Sequence, residues 1–182
     1  MRVITGSARG VPLATLAGED VVRPTSQRVK EAMFSAIQFE IEGRAALDAF
    51  AGSGQLGIEA LSRGAASCLF LESDRNAGEM IEKNLARAKL RDKARLMQLD
   101  AMQYMRRCAD AFGLIFLDPP YGKLMLQDSI PIAAALLSPG GLLVCEAPVH
   151  ESLPEAVEDV YLRKTYRHGK TKLCVYQKGE PA

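Results

Sequence analysis

The chain of 182 residues is 48% hydrophobic and 25% charged, with a formal net charge of +1 at pH 7. That is room for one domain with a sizeable core, in a composition ordinary for a soluble globular protein. No apolar run approaches the roughly 18 residues of a membrane span, and Met1 to Gly6 lacks the apolar stretch of a secretory leader, so neither is expected.

In chain order, the first 22 residues read as an arm, a β-hairpin or short extended segment with turns at Gly6, Gly10 and Gly18. Arg23-Pro24-Thr25-Ser26 is a turn whose Thr25 or Ser26 can cap the next helix. In that helix Val29, Met33 and Ile37 recur at i, i+4 and i+8. After Gly43, the short strand Ala46-Leu47-Asp48 runs through Ala49-Phe50-Ala51 into a glycine loop that opens a helix to about Ser62. Gly52, Gly54 and Gly57 fit GxGxxG, where glycine permits the tight turn and close approach of a ligand. The pattern alone is weak and also serves dinucleotides. Asp48 at the strand end tips the balance. A carboxylate there repels a pyrophosphate and suits a cationic amine or sulfonium, which favours S-adenosylmethionine. Valine at Gly54 is expected to fill the space that such a cofactor needs.

The next strand, Cys68 to Glu72, ends in an acid about 20 residues past the loop, the place of a ribose-hydroxyl acceptor in this kind of fold. A helix follows over Arg75–Ala88, with Met80, Ile81, Leu85 and Ala88 on its apolar face. The strand Arg95 to Asp100 ends in a third acid, placed to accept from an adenine amino group. A helix over Ala101–Cys108 leads to the apolar run Leu114-Ile115-Phe116-Leu117, a buried strand that closes on Asp118-Pro119-Pro120-Tyr121. The prolines have fixed φ and no N–H to donate, so they hold carbonyls rigidly without competing for them. Asp118 offers acceptors only, and Tyr121 a flat face. Together they suit a planar base with an exocyclic amine, stacked on Tyr121. The plainer alternative is a strand with a Pro-rich turn and a surface Asp. The remainder reads as a helix Leu126–Leu137, a turn at Ser138-Pro139-Gly140-Gly141, the strand Leu142–Glu146, and two antiparallel strands, Val157–Tyr166 and Lys172–Gln177, about Gly169.

Alternating strands and helices imply a parallel sheet with helices on both faces, closed by an antiparallel edge. A single domain is expected, with an arm and helix over 1–40 and a core over 41–182. Cys68, Cys108, Cys145 and Cys174 form no CxxC and read as reduced thiols of a cytosolic protein. His150 and His168 lack ligand spacing, so no metal is assigned. Charge is uneven: residues 1–30 carry +3 and residues 160–178 carry +6, which leaves −8 elsewhere. If folding brings Arg2, Arg9, Arg23 and Arg28 to the same side as Arg163, Lys164, Arg167, Lys170 and Lys172, they make a footprint for nucleic-acid phosphates.

These residues resemble the class I S-adenosylmethionine-dependent methyltransferases that act on amino groups, and within them the bacterial 16S ribosomal RNA guanine-N2 methyltransferase family. The likeness rests on the arm Met1 to Gly6 with Arg9-Gly10, on Arg23-Pro24-Thr25 with Arg28 to Glu31 and Phe34, on Asp48 to Ala65, and on Phe116 to Gly122. The tail resembles the family least, keeping a basic hairpin. The resemblance implies a Rossmann-like seven-stranded sheet whose last strand inserts antiparallel. It implies S-adenosylmethionine bound by Thr25, Asp48, Phe50, Gly52, Ser53, Gly54, Glu72, Ser73, Asp100, Ala101 and Asp118, leaving as S-adenosylhomocysteine. Catalysis falls to Asp118, Pro119, Pro120 and Tyr121, on the N2 amine of a guanine in small-subunit ribosomal RNA within an assembly particle. A cytoplasmic monomer is expected. A methyltransferase acting on DNA adenine or a protein side-chain amide would use a similar tetrapeptide, but commonly adds a recognition region for which this chain has no room. An inactive cofactor-binding module is disfavoured by the intact tetrapeptide, and a nicotinamide-dependent oxidoreductase by Asp48.

Overall fold

Apolar runs too short for helices and bounded by loop signals become strands, and those apolar on both faces form the centre of the sheet. The computed structural model describes residues 1–15, 27–119 and 125–179. Its elements are α1 (Gln27–Ala36), β1 (Ala45–Asp48), α2 (Gln55–Ser62), β2 (Ser67–Glu72), α3 (Arg75–Ala88), β3 (Ala94–Gln98), α4 (Ala101–Met105), β4 (Phe112–Leu117), α5 (Met125–Ala135), β5 (Leu137–Pro148), β6 (Ala156–Val157), β7 (Val160–His168) and β8 (Thr171–Lys178).

The strands form one sheet in the order β3-β2-β1-β4-β5-β8-β7-β6. The first five pair in parallel, and β8 inserts antiparallel between β5 and β7. The expected seven strands are present. The eighth, β6, is a two-residue strand at the sheet's edge.

Ser138–Gly141, expected as a free turn, lies inside β5. The register jumps from Phe112↔Leu137 to Leu114↔Leu142, so the turn survives as a bulge. Arg44 holds it by donating to the carbonyls of Gly113 and Gly140 at 2.7 and 3.1 Å. The helix expected to reach Cys108 stops at Met105.

Because side chains alternate across a strand, neighbouring strand residues feed opposite layers. On one face α1, α2, α3 and the arm cover Ala46, Phe70, Leu114, Phe116, Leu142, Val144, Leu173 and Val175. On the other, α4 and α5 cover Leu47, Leu71, Ile115, Leu117, Leu143, Cys145 and Tyr176.

The arm is a hairpin, with Val3 N–H on the Val11 carbonyl at 3.0 Å and Leu13 N–H on the Met1 carbonyl at 2.8 Å. It docks through Glu59 of α2. That carboxylate accepts from the N–H groups of Ile4 and Thr5 at 2.8 and 3.0 Å. It also pairs with Lys30 at 3.1 Å and with Arg63 at 2.8 Å. Lys30 and Glu59 side chains are both 0% exposed. Burial lowers the Lys30 ammonium pKa, and the Glu59 charge opposes that shift. Lys30 therefore adds nothing to a surface charge patch, although it counts toward the basic total of the first thirty residues.

Candidate active site

The carboxyl ends of the parallel strands gather the acids that close them. Asp48, at the end of β1, is 2% exposed. Its Oδ2 accepts from the Gly57 N–H at 2.9 Å, across the glycine loop. Burial pushes its pKa up to about 7; the Gly57 N–H opposes this, and the Asp118 and Glu72 charges add to it. Three carboxylates thus share one electrostatic neighbourhood.

Glu72 ends β2 and stitches the loop to the next helix. Its Oε2 accepts from Gly52 N–H and its Oε1 from Asp74 N–H, both at 2.8 Å. Asp100 caps α4 through its Oδ1, which accepts from Gln103 N–H at 2.8 Å. Asp118 follows β4, half-buried, with Pro119 buried behind it. Phe50 is half-buried, Ser53 and Ala101 are buried, and Ser73 is exposed. Thr25, Arg23, Pro120 and Tyr121 lie outside the described residues.

The glycines serve the fold as much as a ligand. Gly54 precedes α2 at φ +79°, and a Cβ there would meet Ile81 at 3.2 Å and Ile58 at 3.3 Å. Valine at Gly54 would therefore strain the backbone and crowd Ile81 and Ile58, an effect that the glycine pattern in the sequence does not show. At Gly57 a Cβ would stand 2.3 Å from the Phe70 ring.

One positioning residue escapes the sequence patterns. Asn84 lies among the apolar positions of α3. Its Nδ2 donates to the carbonyls of Ser53 and Ala14, both at 2.9 Å, and its Oδ1 accepts from Ala14 N–H at 2.8 Å. The arm's exit is thereby pinned to the glycine loop. The only sequence signal is a polar residue three positions after Ile81 on the apolar stripe.

The basic residues divide by position. β7 and β8 turn at Gly169, and Pro148 pairs with Thr171 while Leu117 pairs with Cys145. The hairpin tip bearing Arg167, Lys170 and Lys172 therefore rises past the level of Asp118, at the same end of the sheet. Arg167 and Lys170 are exposed; Lys172 Nζ donates to the Glu151 carbonyl. Lys164 lies over the Tyr166 ring at 5.1 Å. Arg163 instead clamps β7 to the turn that follows α1, its Nη1 donating to Glu40 Oε1 and Oε2 at 2.8 and 3.0 Å.

Arg28 is exposed on the first turn of α1. Arg2 Nη1 donates to the Gly10 carbonyl within the arm at 2.8 Å. Arg9 sits at the opposite end of the sheet. Its N–H bonds to Gly6, and neighbouring Ser7 N–H bonds to the Ser62 carbonyl at the close of α2, beside the strand starts. Arg9 of the arm and the hairpin tip of the tail thus lie at opposite ends of the sheet.

The donor set fits a cationic ligand. Among the described residues no ion pair involves Asp48 or Glu72, so a positive group placed between them relieves like-charge repulsion. No group of three or more His, Cys, Asp or Glu among the described residues could hold a metal.

Comparison with known proteins supplies the family. The model of the family described as conserved hypothetical protein 95 matches residues 1–177. Ribosomal RNA small subunit methyltransferase D of Escherichia coli (strain K12) is 32% identical, with 98% of this chain and 90% of that protein covered. YlbH of Bacillus subtilis (strain 168), provisionally named an rRNA methyltransferase, is 37% identical over 98% of this chain and 99% of its own length. A solved structure from Escherichia coli, provisionally named a methyltransferase, superposes with a TM-score of 0.88 at 32% identity, covering 100% of this chain and 99% of that one. An RNA methyltransferase from Salinibacter ruber, solved with S-adenosyl-L-homocysteine, shares the fold at 18% identity with a TM-score of 0.65, covering 88% and 96%. The chain therefore belongs to the conserved hypothetical protein 95 family, with the class I methyltransferase fold and with ribosomal RNA small subunit methyltransferase D among its members.

Proposed function

We propose that this protein transfers a methyl group from S-adenosylmethionine to the exocyclic N2 of a guanine in 16S ribosomal RNA. The observation that carries the reading is the row of strand-end carboxylates Glu72, Asp48 and Asp118 on adjacent strands β2, β1 and β4. The names of the relatives support RNA of the small subunit as the substrate. When bound, the cofactor supplies a methyl group on a cationic sulfur.

The residues divide the work. Asp48, Glu72 and Asp100, with the backbone of Gly52 to Gly54, hold the cofactor side. Asp118 and the Pro119 carbonyl accept the two N–H bonds of N2, and Tyr121 stacks on the base. A guanine N2 lone pair is delocalised into the ring. Two acceptors aimed at its hydrogens pull the nitrogen toward a tetrahedral geometry, localise the pair on N2 and point it at the methyl group. Methyl transfer would form the N–C bond at the expense of the S–C bond, with the displaced N2 proton passing to solvent and S-adenosylhomocysteine leaving. The gain comes from positioning and preorganised acceptors. The base must leave its stack to reach them. The exposed cations of the hairpin tip hold phosphates and position without reading sequence. The reading includes a cytoplasmic monomer acting on a small-subunit assembly particle, with no metal.

The test is methyl transfer from labelled cofactor to total RNA, DNA and protein in parallel, with nucleoside mass spectrometry of the product. N2-methylguanosine in small-subunit RNA is expected, abolished in Asp118→Ala while cofactor affinity stays within a few-fold. Label appearing in DNA or protein alone refutes it.

A further inference from the structure

The strand order leaves one acid unused. β5 carries Glu146 at its carboxyl end, the fifth acid to close a parallel strand. Leu117 pairs with Cys145, so the next step along the two strands sets Asp118 beside Glu146, about 5 Å away at the usual strand spacing. Alternation puts both on the same face as Asp48, since Phe116 and Val144 two residues earlier fill that face's core. Glu146 is 5% exposed, and its Oε2 is buried with no hydrogen-bond partner. No ion pair among the described residues involves it. A buried carboxylate oxygen without a donor is costly, and such an oxygen invites a donor from a ligand. The ligand is not the cofactor. Glu72 and Asp100 lie on the β2–β3 side of Asp118, and Glu146 lies on the other side, toward β8 and the basic hairpin.

We propose that Glu146 accepts the N1–H of the target guanine and so selects guanine among bases that carry an exocyclic amine. The inference rests on the methyl transfer to guanine N2 proposed above. A guanine edge offers three adjacent donors, one on N1 and two on N2. Asp118 and Glu146, side by side past the last pair of β4 and β5, with the Pro119 carbonyl next along the chain, offer three acceptors for them. An adenine would present the lone pair of its N1 to the Glu146 carboxylate, acceptor against acceptor. A site built around a hydrogen bond rejects the analogue that lacks it, because its own buried group is left unpaired.

The experiment uses the full chain and two reconstituted small-subunit assembly particles, whose RNA carries guanine in one and 2-aminopurine in the other at the position the wild-type protein methylates. 2-Aminopurine keeps the 2-amino group but has a bare acceptor at N1. Wild-type protein should favour guanine by at least about tenfold in kcat/KM, the scale of one charged hydrogen bond. Glu146→Gln, whose amide NH2 can donate to a bare N1, should narrow or invert that preference while S-adenosylhomocysteine affinity by calorimetry stays within a few-fold. An unchanged preference in Glu146→Gln overturns the inference. Should that variant fail to fold, Glu146→Asp carries the test. Withdrawing the acceptor by one methylene should cut kcat/KM for guanine more than for 2-aminopurine, and equal losses on both overturn it. Failure of the underlying reading looks different: wild-type protein then forms no N2-methylguanosine on the guanine RNA, and both readings fall together.

Discussion

Replacing Asp48 by asparagine separates what the buried carboxylate does for the ligand from what it costs the fold. The substitution keeps an oxygen to accept the Gly57 N–H, bonded at 2.9 Å in the wild type, and removes the charge. The wild-type carboxyl has a folded pKa of about 7 against an ordinary value of 3.8. A raised carboxyl pKa means the folded state holds its proton more tightly than the unfolded chain. The ionised form therefore weakens the fold, fully above pH 7, and the penalty fades as pH falls toward 3.8. A gap of about three pH units sets its ceiling near 4 kcal/mol. Between pH 8 and pH 6 the ligand-free wild type should regain roughly 1 kcal/mol from this group. Cofactor binding runs the other way, because a cation prefers the ionised carboxylate. With a pKa of about 7, the ionised fraction rises roughly tenfold from pH 6 to pH 8. Calorimetry should show S-adenosylmethionine affinity rising by up to that factor over the same span. Asp48→Asn should flatten that rise, bind more weakly at pH 8, and melt at higher temperature than wild type at pH 8 without ligand. The ligand's own ammonium titrates equally against both proteins, so their difference isolates Asp48. Identical slopes in the two proteins would refute the assignment of the charge, and a lower melting temperature for the variant at pH 8 would refute the sign of the stability term.

Glu59→Gln leaves Lys30 buried without its counter-charge, so urea unfolding should show a loss of about 3–5 kcal/mol, part of it restored by adding Lys30→Met; wild-type stability would contradict the buried pairing. Gly57→Ala gains helix propensity worth about 1 kcal/mol but drives a methyl group into the fully buried Phe70 ring, so a net loss of roughly 1–3 kcal/mol is expected in thermal melts, eased by Phe70→Leu. Arg167→Ala with Lys170→Ala should raise KM for RNA far more than it lowers kcat, and should flatten the salt dependence by about one unit of slope per lost phosphate contact. Arg9→Ala, at the far end of the sheet, should change neither, and an equal effect from Arg9 would contradict the division of the basic residues by position.

The strand-end acids were legible because each closes an apolar run, and a run of that length between loop signals has few other readings. The same logic found α3 to the residue and the antiparallel hairpin to within a few positions. Contacts between distant parts of the chain left no local trace. Arg163 and Lys30 look like surface cations in a list of charges, yet one is tied to Glu40 and the other buried on Glu59. The bulge at Ser138–Gly141 was readable as a turn but not as a turn inside a strand, because only the register of β4 against β5 shows where pairing resumes.

The strand order ties these points together. β1 lies between β2 and β4 because the chain reverses its direction of winding after β3, and a ligand in such a sheet sits in the crevice at that reversal. Asp118 closes the strand on the far side of the crevice, so whatever it holds must come from the β5 and β8 side. That side ends in the exposed cations Arg167 and Lys170 and in the buried acid Glu146. Outward lies attraction for phosphates, and inward lies a shortage of donors that a base edge can supply. Long-range charge can gather RNA to this rim but cannot choose a base. On the proposed reading, the choice falls to the short-range acceptors at the ends of β4 and β5, where one missing hydrogen leaves a buried oxygen unpaired.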